Sequence, residues 1–194
     1  MNDASQEAQL ERIVRGAPSM MQVLETAAAL DLPDWLIFSG AVYQRVLNHR
    51  TGRDPDYGIK DYDLGYYDAS DISYEAEDLV IRRVAAAFEP PLSALVEVRN
   101  QARVHVWFEG KFGEPYAPLS STAEALTRFV SPLFAVGVRL EADGRLTIAA
   151  PFGLDDLFNL VLRPNPIRGV AAGFARTAAS ATARWPEIRV VQES

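Results

Sequence analysis

The chain has 194 residues, no cysteine and a formal net charge of −7. The absence of cysteine excludes disulfides, thiolate metal ligands and a cysteine nucleophile. The acidic balance argues against nucleic acid as a main partner, because binding the phosphate backbone needs a basic patch and the sequence shows no run of Lys and Arg. With 48% hydrophobic and 23% charged residues, the composition is that of an ordinary globular protein.

The first 16 residues are polar and partly acidic, and no basic stretch leads into an apolar one. We therefore expect no secretory signal. No apolar run in the sequence is long enough to span a bilayer, so we expect a cytoplasmic protein without a membrane association. His49 and His105 lie far apart in sequence, which argues against a histidine-rich zinc site.

Helical periodicity predicts two packing helices near the start of the chain, over residues 5–15 and 18–30. A short apolar run, residues 35–38, predicts a buried strand, and residues 41–49 predict a helix. Ser39 and Gly40 connect this strand to this helix. Glycine lets a backbone amide approach a ligand, and the free amides at a helix N-terminus favour phosphate. Many ordinary strand-to-helix turns share this pattern, so it indicates a phosphate site only together with other features.

Residues 59–68, IKDYDLGYYD, predict a strand that carries two aspartates. Side chains alternate across a sheet, so Asp61 and Asp63 are expected to share one face. Two adjacent carboxylates repel each other, and aspartate is a poor strand former. A divalent cation, Mg²⁺ or Mn²⁺, between them would remove the repulsion. An edge strand with a solvated acidic face is the alternative interpretation.

A third strand is predicted over residues 92–98, with Glu97 as its one acidic residue. If this strand lies next to the aspartate strand, Glu97 completes a cluster of three carboxylates and is a candidate metal ligand and general base. An exposed residue on the solvent face is the alternative. Lys60, in the stretch before Asp61, could reach a triphosphate, although a solvated charge explains it equally well.

The remaining elements are predicted from patterning and turn residues. Residues 103–108 predict a fourth strand, in which His105 is either a structural residue or a contact to phosphate or base. We also predict helices over 73–88, 122–129, 154–160 and 167–184, a hairpin over 136–149 with an Asp-Gly turn, and a frayed tail from Pro186 onward.

With these residues in place, the chain resembles the DNA polymerase beta type nucleotidyltransferase superfamily. In that superfamily a Gly-Ser or Ser-Gly turn before a helix holds the triphosphate, and an Asp-x-Asp strand with an acid on a neighbouring strand binds two metal ions. More narrowly, the chain is similar to a bacterial nucleotidyltransferase-like family of short acidic proteins. The shared motifs are Gly58 to Asp63, Tyr66 to Asp68, Asn100 to His105 and Ala150 to Asp156. Two departures from the superfamily are the Ser-Gly order and the longer interval between Gly40 and Asp61.

The resemblance implies an α+β fold in which a mixed sheet is flanked by helices, with an additional C-terminal hairpin and helices. It implies one domain over residues 1–194, with a core of about 34–108 on which the helices of 5–30 and the region 120–184 pack. It also implies metal-dependent nucleotidyl transfer from a nucleoside triphosphate such as ATP to an unknown acceptor, with release of pyrophosphate.

The resemblance also implies roles for the candidate site residues. Asp61, Asp63 and Glu97 would bind Mg²⁺ or Mn²⁺ and catalyse transfer. Nucleotide contacts would come from the remaining candidates, Ser39, Gly40, Lys60, Arg103 and His105.

Two other classes of function stay open at this point. The chain could be a non-catalytic nucleotide-binding or regulatory module on the same fold, or an interaction partner of the toxin–antitoxin type. The sequence does not reveal the acceptor, the preferred nucleotide or the oligomeric state.

Overall fold

A computed structural model describes residues 3–168 and 173–191, and its centre is a mixed sheet of five strands. The strands are β1 (Leu36–Phe38), β2 (Tyr62–Tyr66), β3 (Val96–Asn100), β4 (Gly137–Leu140) and β5 (Leu146–Ala149). Their order in the sheet is β3-β2-β1-β4-β5. β2 and β3 are parallel, whereas the other neighbouring pairs are antiparallel. The predicted mixed sheet is therefore confirmed, and the predicted hairpin β4–β5 extends it beside β1.

Helices surround this sheet. They are α1 (Asp3–Arg15), α2 (Pro18–Ala29), α3 (Gly40–Thr51), α4 (Tyr74–Ala87), α5 (Val104–Phe112), α6 (Thr122–Leu126), α7 (Asp155–Phe158) and α8 (Phe174–Arg184). α1 contacts α2, α3 and α7, and α4 packs on β3. The two N-terminal helices and the helix after Ser39 are confirmed. No helix in residues 3–168 and 173–191 is both long and apolar enough to cross a membrane.

One cluster of buried hydrophobic side chains extends from α1 to the C-terminal segment. Leu10 on α1, Ile37 on β1 and Trp185 after α8 are all fully buried in it. Burying one large aliphatic side chain stabilises a fold by roughly 1.5–3 kcal/mol. The shared core therefore joins α1 and the segment after α8 to the central sheet. The single-domain organisation of residues 1–194 stays a prediction.

The predicted strand over residues 103–108 is wrong, because this segment forms the helix α5. Its β-branched and aromatic residues favour a strand, but local contacts start a helix. The Asn100 side chain accepts hydrogen bonds from the backbone amides of Ala102 and Asp68 and so turns the chain after β3. Gly113 then ends the helix with a φ of 71°.

Several other predicted boundaries also need correction. Residues 92–94 form a turn of 3₁₀ helix, so β3 begins at Val96. Residues 167–168 lie in a turn and α8 begins at Phe174, while residues 169–172 lie outside the described chain. The prediction of a frayed tail from Pro186 onward is wrong as far as residue 191. β7 (Arg189–Val190) pairs in parallel with β6 (Val161–Leu162), and Trp185 anchors the segment in the core.

Candidate active site

The turn between β1 and α3 lies directly beside the aspartate strand. Phe38, the last residue of β1, pairs with Asp63 on β2, so the next residue, Ser39, reaches the Asp63 carboxylate. Ser39 has φ 63° and ψ −142°, a region that residues other than glycine rarely adopt. Such a backbone conformation costs on the order of 1–3 kcal/mol and is typical of functional sites. The turn is therefore a strained feature held in place by its surroundings.

Three carboxylates gather at this end of the sheet. Glu97 on β3 is the register partner of Asp63 on β2. The two strands are therefore neighbours, which was the condition for Glu97 to join the aspartates. The pKa of Asp63 is raised to about 6, chiefly by burial and in part by the negative charges of Asp61 and Glu97. A hydrogen bond with the Ser39 side chain and the charge of Arg99 act in the opposite direction. The ionised Asp63 is thus destabilised in the folded protein unless positive charge is supplied.

Two of the three carboxylates are placed to hold a divalent cation together. Asp61 and Asp63 line the same cavity, of about 530 Å³, and their carboxylate oxygens are the ligands that Mg²⁺ prefers. Glu97 is exposed on the edge strand and does not line this cavity. In the described ranges, no three side chains of His, Asp or Glu are grouped as the ligands of one ion. The two aspartates therefore fit a cation as a pair, and Glu97 would join only after its side chain turns.

The cavity of Asp61 and Asp63, called the catalytic cavity below, also contains an unpartnered amide. Gln44 is 7% exposed, and its Oε1 accepts no hydrogen bond from any residue that the structure describes. Its side chain lies between Gly40 and Gly58, since a Cβ on Gly40 would come within 2.7 Å of Gln44 Nε2. A buried amide oxygen without a partner is costly. Because this oxygen is itself buried, a ligand in the cavity could bond to it only after the side chain moves.

Positive charge reaches the catalytic cavity from two distant parts of the chain. Lys60 precedes the aspartates, and Arg184 comes from the last turn of α8, together with Ser180 one turn earlier. The Arg184 guanidinium stacks on the indole of Trp185 at 4.5 Å and makes no ion pair within the described part of the chain. Sequence analysis missed Arg184, Ser180 and Gln44. The spacing of Ser180 and Arg184 by four residues was the available signal, but nothing local connected α8 to the aspartates.

Arg103 and His105 do not join these residues. Arg103 forms a buried ion pair with Glu77 of α4 and donates a hydrogen bond to the carbonyl of Ile72. His105 lies on α5, and its Nδ1 is buried without a hydrogen-bond partner among the described residues. Neither lines the catalytic cavity. Of the predicted site residues, the structure thus brings Ser39, Gly40, Lys60, Asp61 and Asp63 into one cavity, while Glu97 lies outside it as the register partner of Asp63 on β3.

Comparison with known proteins identifies the family of this chain. A model of a nucleotidyltransferase family matches residues 25–190, which is most of the chain. The chain belongs to this nucleotidyltransferase family. A sequence comparison with curated proteins found no match.

A solved structure agrees with this membership of the nucleotidyltransferase family. It was determined by NMR and is described as a CCA-adding enzyme head domain. The similarity has a TM-score of 0.73 at 22% sequence identity and covers 94% of this chain and 96% of that one. At this identity the likeness concerns the fold alone, and it confirms the predicted α+β fold in which a mixed sheet is flanked by helices. The family indicates nucleotidyl transfer as the general reaction.

The strain at Ser39 predicts different stabilities for two variants that lack the same hydroxyl. Ser39→Gly should be more stable than Ser39→Ala by about 1 kcal/mol or more, since glycine adopts a positive φ without a Cβ clash. Chemical denaturation at pH 7 measures the difference. Both variants lose the same hydrogen bond to Asp63, so the comparison isolates the backbone. Equal stability of the two variants would show that the turn stores no strain.

Proposed function

We propose that this nucleotidyltransferase is metal-dependent and transfers a nucleoside monophosphate from a nucleoside triphosphate to an acceptor, with release of pyrophosphate. The observation that carries the proposal is the placement of Asp61 and Asp63 in one cavity with the strained Ser39 turn, where burial raises the pKa of Asp63. Perturbed carboxyl groups in a cleft are typical of catalytic sites. Repulsion between Asp61, Asp63 and Glu97 favours a bound divalent cation over an empty site.

Asp61 and Asp63 would hold Mg²⁺ or Mn²⁺, and Glu97 would complete the ligands after turning inward. When bound, such cations neutralise charge on the reacting phosphate and on the leaving pyrophosphate. Glu97, being exposed on the edge strand, is also free to accept the proton of the attacking acceptor group through its carboxylate oxygen. Attack forms the bond from the acceptor to the α-phosphorus, and the bond from that phosphorus to the pyrophosphate oxygen breaks.

The remaining cavity residues would hold the triphosphate. The Ser39 hydroxyl and the free amides at the start of α3 are suited to the β- and γ-phosphates. Lys60 and Arg184 supply two cations on the same cavity wall. Arg103 and His105 are left out of this proposal, since Arg103 is engaged with Glu77 and neither residue reaches the cavity. We further propose a bacterial, cytoplasmic setting and ATP among the donors tested first.

Calorimetric titration tests this proposal. Each of the four ribonucleoside triphosphates is titrated with Mg²⁺ into the wild type, into Asp61→Asn and into a control, Asp143→Asn, at the exposed β4–β5 turn. At least one nucleotide should bind the wild type and the control alike and bind Asp61→Asn at least tenfold more weakly. Release of pyrophosphate should accompany binding once an acceptor is present. A folded wild type that binds no nucleotide with Mg²⁺ would overturn the proposal.

A further inference from the structure

A second cavity, of about 540 Å³, adjoins the catalytic cavity and has a different chemistry. Ser39 and Tyr43 line both cavities, so the two meet at the β1–α3 turn. The second one, called the aromatic cavity below, is defined by four phenylalanines: Phe108, Phe112, Phe129 and Phe134. A ligand in one cavity would therefore lie next to a ligand in the other.

α8 joins the two cavities along one helical face. Arg176 lines the aromatic cavity, whereas Ser180 and Arg184 line the catalytic cavity. These three residues are four positions apart, and residues at this spacing lie on the same side of a helix. The polar face of α8 thus runs as one continuous wall past both cavities.

One ring of the aromatic cavity is half exposed, although the Lys111 ammonium lies 5.3 Å from its centroid. Phe112 is 54% exposed, and its ring centroid lies 4.7 Å from that of Phe108. Two further rings of the lining, Tyr43 and Phe134, lie 4.8 Å apart. An exposed phenylalanine next to a cavity offers a face on which a planar ring can stack.

The charge of the aromatic cavity is positive, although the protein is acidic overall. Two of its arginines are compensated, because Arg168 pairs with Glu114 and Arg128 lies 3.3 Å from Glu124. Arg176 is exposed and has no ion-pair partner in the described ranges. One cation therefore remains available for an anionic group.

We propose that the aromatic cavity binds a nucleobase that carries phosphate, with the base stacked on Phe112 and an anionic oxygen near Arg176. This inference rests on the proposed function and adds a substrate subsite to it. The nucleoside phosphate is either the donor, whose phosphates extend past Ser39 into the catalytic cavity, or a second nucleotide that acts as the acceptor.

The test compares ligands with and without a base. Mg²⁺ with tripolyphosphate, the best-binding nucleoside triphosphate and its monophosphate are each titrated into the wild type, Phe112→Leu and Arg176→Gln. Phe112→Leu removes a ring and keeps an apolar side chain. The matched controls are Val106→Ala, at an exposed position of α5, and Arg50→Gln, an exposed arginine at the end of α3, neither of which lines either cavity. Thermal unfolding verifies that each variant folds.

Phe112→Leu should weaken nucleotide binding by about tenfold, the typical effect of losing one base stack, and leave tripolyphosphate binding unchanged. Arg176→Gln should also weaken nucleotide binding, because the anionic oxygen loses its cation. If the donor occupies the cavity, the triphosphate is the affected ligand. If an acceptor occupies it, wild type saturated with tripolyphosphate still binds the monophosphate, and the variants weaken that second event. Nucleotide binding that depends on Asp61 but is insensitive to both variants would overturn this inference alone, whereas no nucleotide binding by the wild type would overturn the proposed function.

Discussion

Replacing Asp63 by asparagine is expected to abolish nucleotidyl transfer and, at the same time, to stabilise the protein without metal. Transfer should fall by about 10³-fold or more, because the cluster loses the carboxylate at its centre. The gain in stability follows from the pKa of Asp63, which burial raises from 3.8 to about 6. Each unit is equivalent to about 1.4 kcal/mol, so ionised Asp63 costs the folded state on the order of 3 kcal/mol.

This stabilisation should depend on pH. Below about pH 4 the carboxyl is protonated in both the folded and the unfolded protein, so the substitution changes little. As the pH rises toward 6, the unfolded chain loses its proton before the folded protein does, and the wild type loses stability relative to the variant. Above about pH 6 the difference is complete. Urea denaturation in the presence of a chelator at about pH 3 and at pH 8 measures both limits.

Asp143→Asn is the matched control for Asp63→Asn. It makes the same change at an exposed turn, and both activity and stability should stay unchanged. Added Mg²⁺ should raise the stability of the wild type and have little effect on Asp63→Asn, because the cation binds the folded state only when its ligands are present. An Asp63→Asn variant that is less stable than the wild type at pH 8, or that keeps full activity, contradicts the assignment.

Removal of the Glu77 charge is expected to have the largest effect on folding. Glu77 is 3% exposed, pairs with Arg103 and accepts a hydrogen bond from the backbone amide of Asn100. Glu77→Gln keeps an acceptor for Asn100 but leaves Arg103 as a buried charge without its partner. Breaking a buried pair in this way costs about 3–5 kcal/mol. Urea denaturation at pH 7 should detect most of that loss.

The double variant Glu77→Gln/Arg103→Met distinguishes the pair from the individual residues. It removes both charges, so it should recover a large part of the stability that Glu77→Gln loses. As a control, Arg82→Gln breaks the exposed Arg82–Asp78 pair on the same helix and should cost less than about 1 kcal/mol. The double variant also tests the predicted nucleotide contact of Arg103. Its affinity for nucleoside triphosphate should equal that of the wild type, and a tenfold loss in a folded double variant would assign Arg103 to the nucleotide site.

The sequence predicted those parts of the site that local patterns specify. The apolar run before Ser39-Gly40 and the helix after it were visible because each element follows its own periodicity. Alternation along the predicted strand over residues 59–68 placed Asp61 and Asp63 on one face, and the repulsion between them indicated a cation. The strand itself is shorter than predicted, because β2 begins at Tyr62 and Asp61 directly precedes it. The Asp-Gly turn likewise specified the hairpin β4–β5.

The segment after β3 shows where local patterns failed. Val104, Val106 and Trp107 have high strand propensity, and a reading by propensity alone therefore predicted a strand. The helix α5 forms because Asn100 turns the chain and because Arg103 is held by Glu77, a residue on another helix. This ion pair between α4 and the start of α5 also explains why Arg103, a predicted nucleotide contact, does not line the catalytic cavity.

The sequence by itself therefore determined the family resemblance, the two aspartates and the Ser39-Gly40 turn, because these depend on residues close together in the chain. Only the tertiary structure decided which distant side chains complete the site. Arg184 lines the cavity of the aspartates because the burial of Trp185, which donates a hydrogen bond to Asn48, fixes the end of α8 against α3. That placement results from packing between residues 137 positions apart, and no local pattern encodes it.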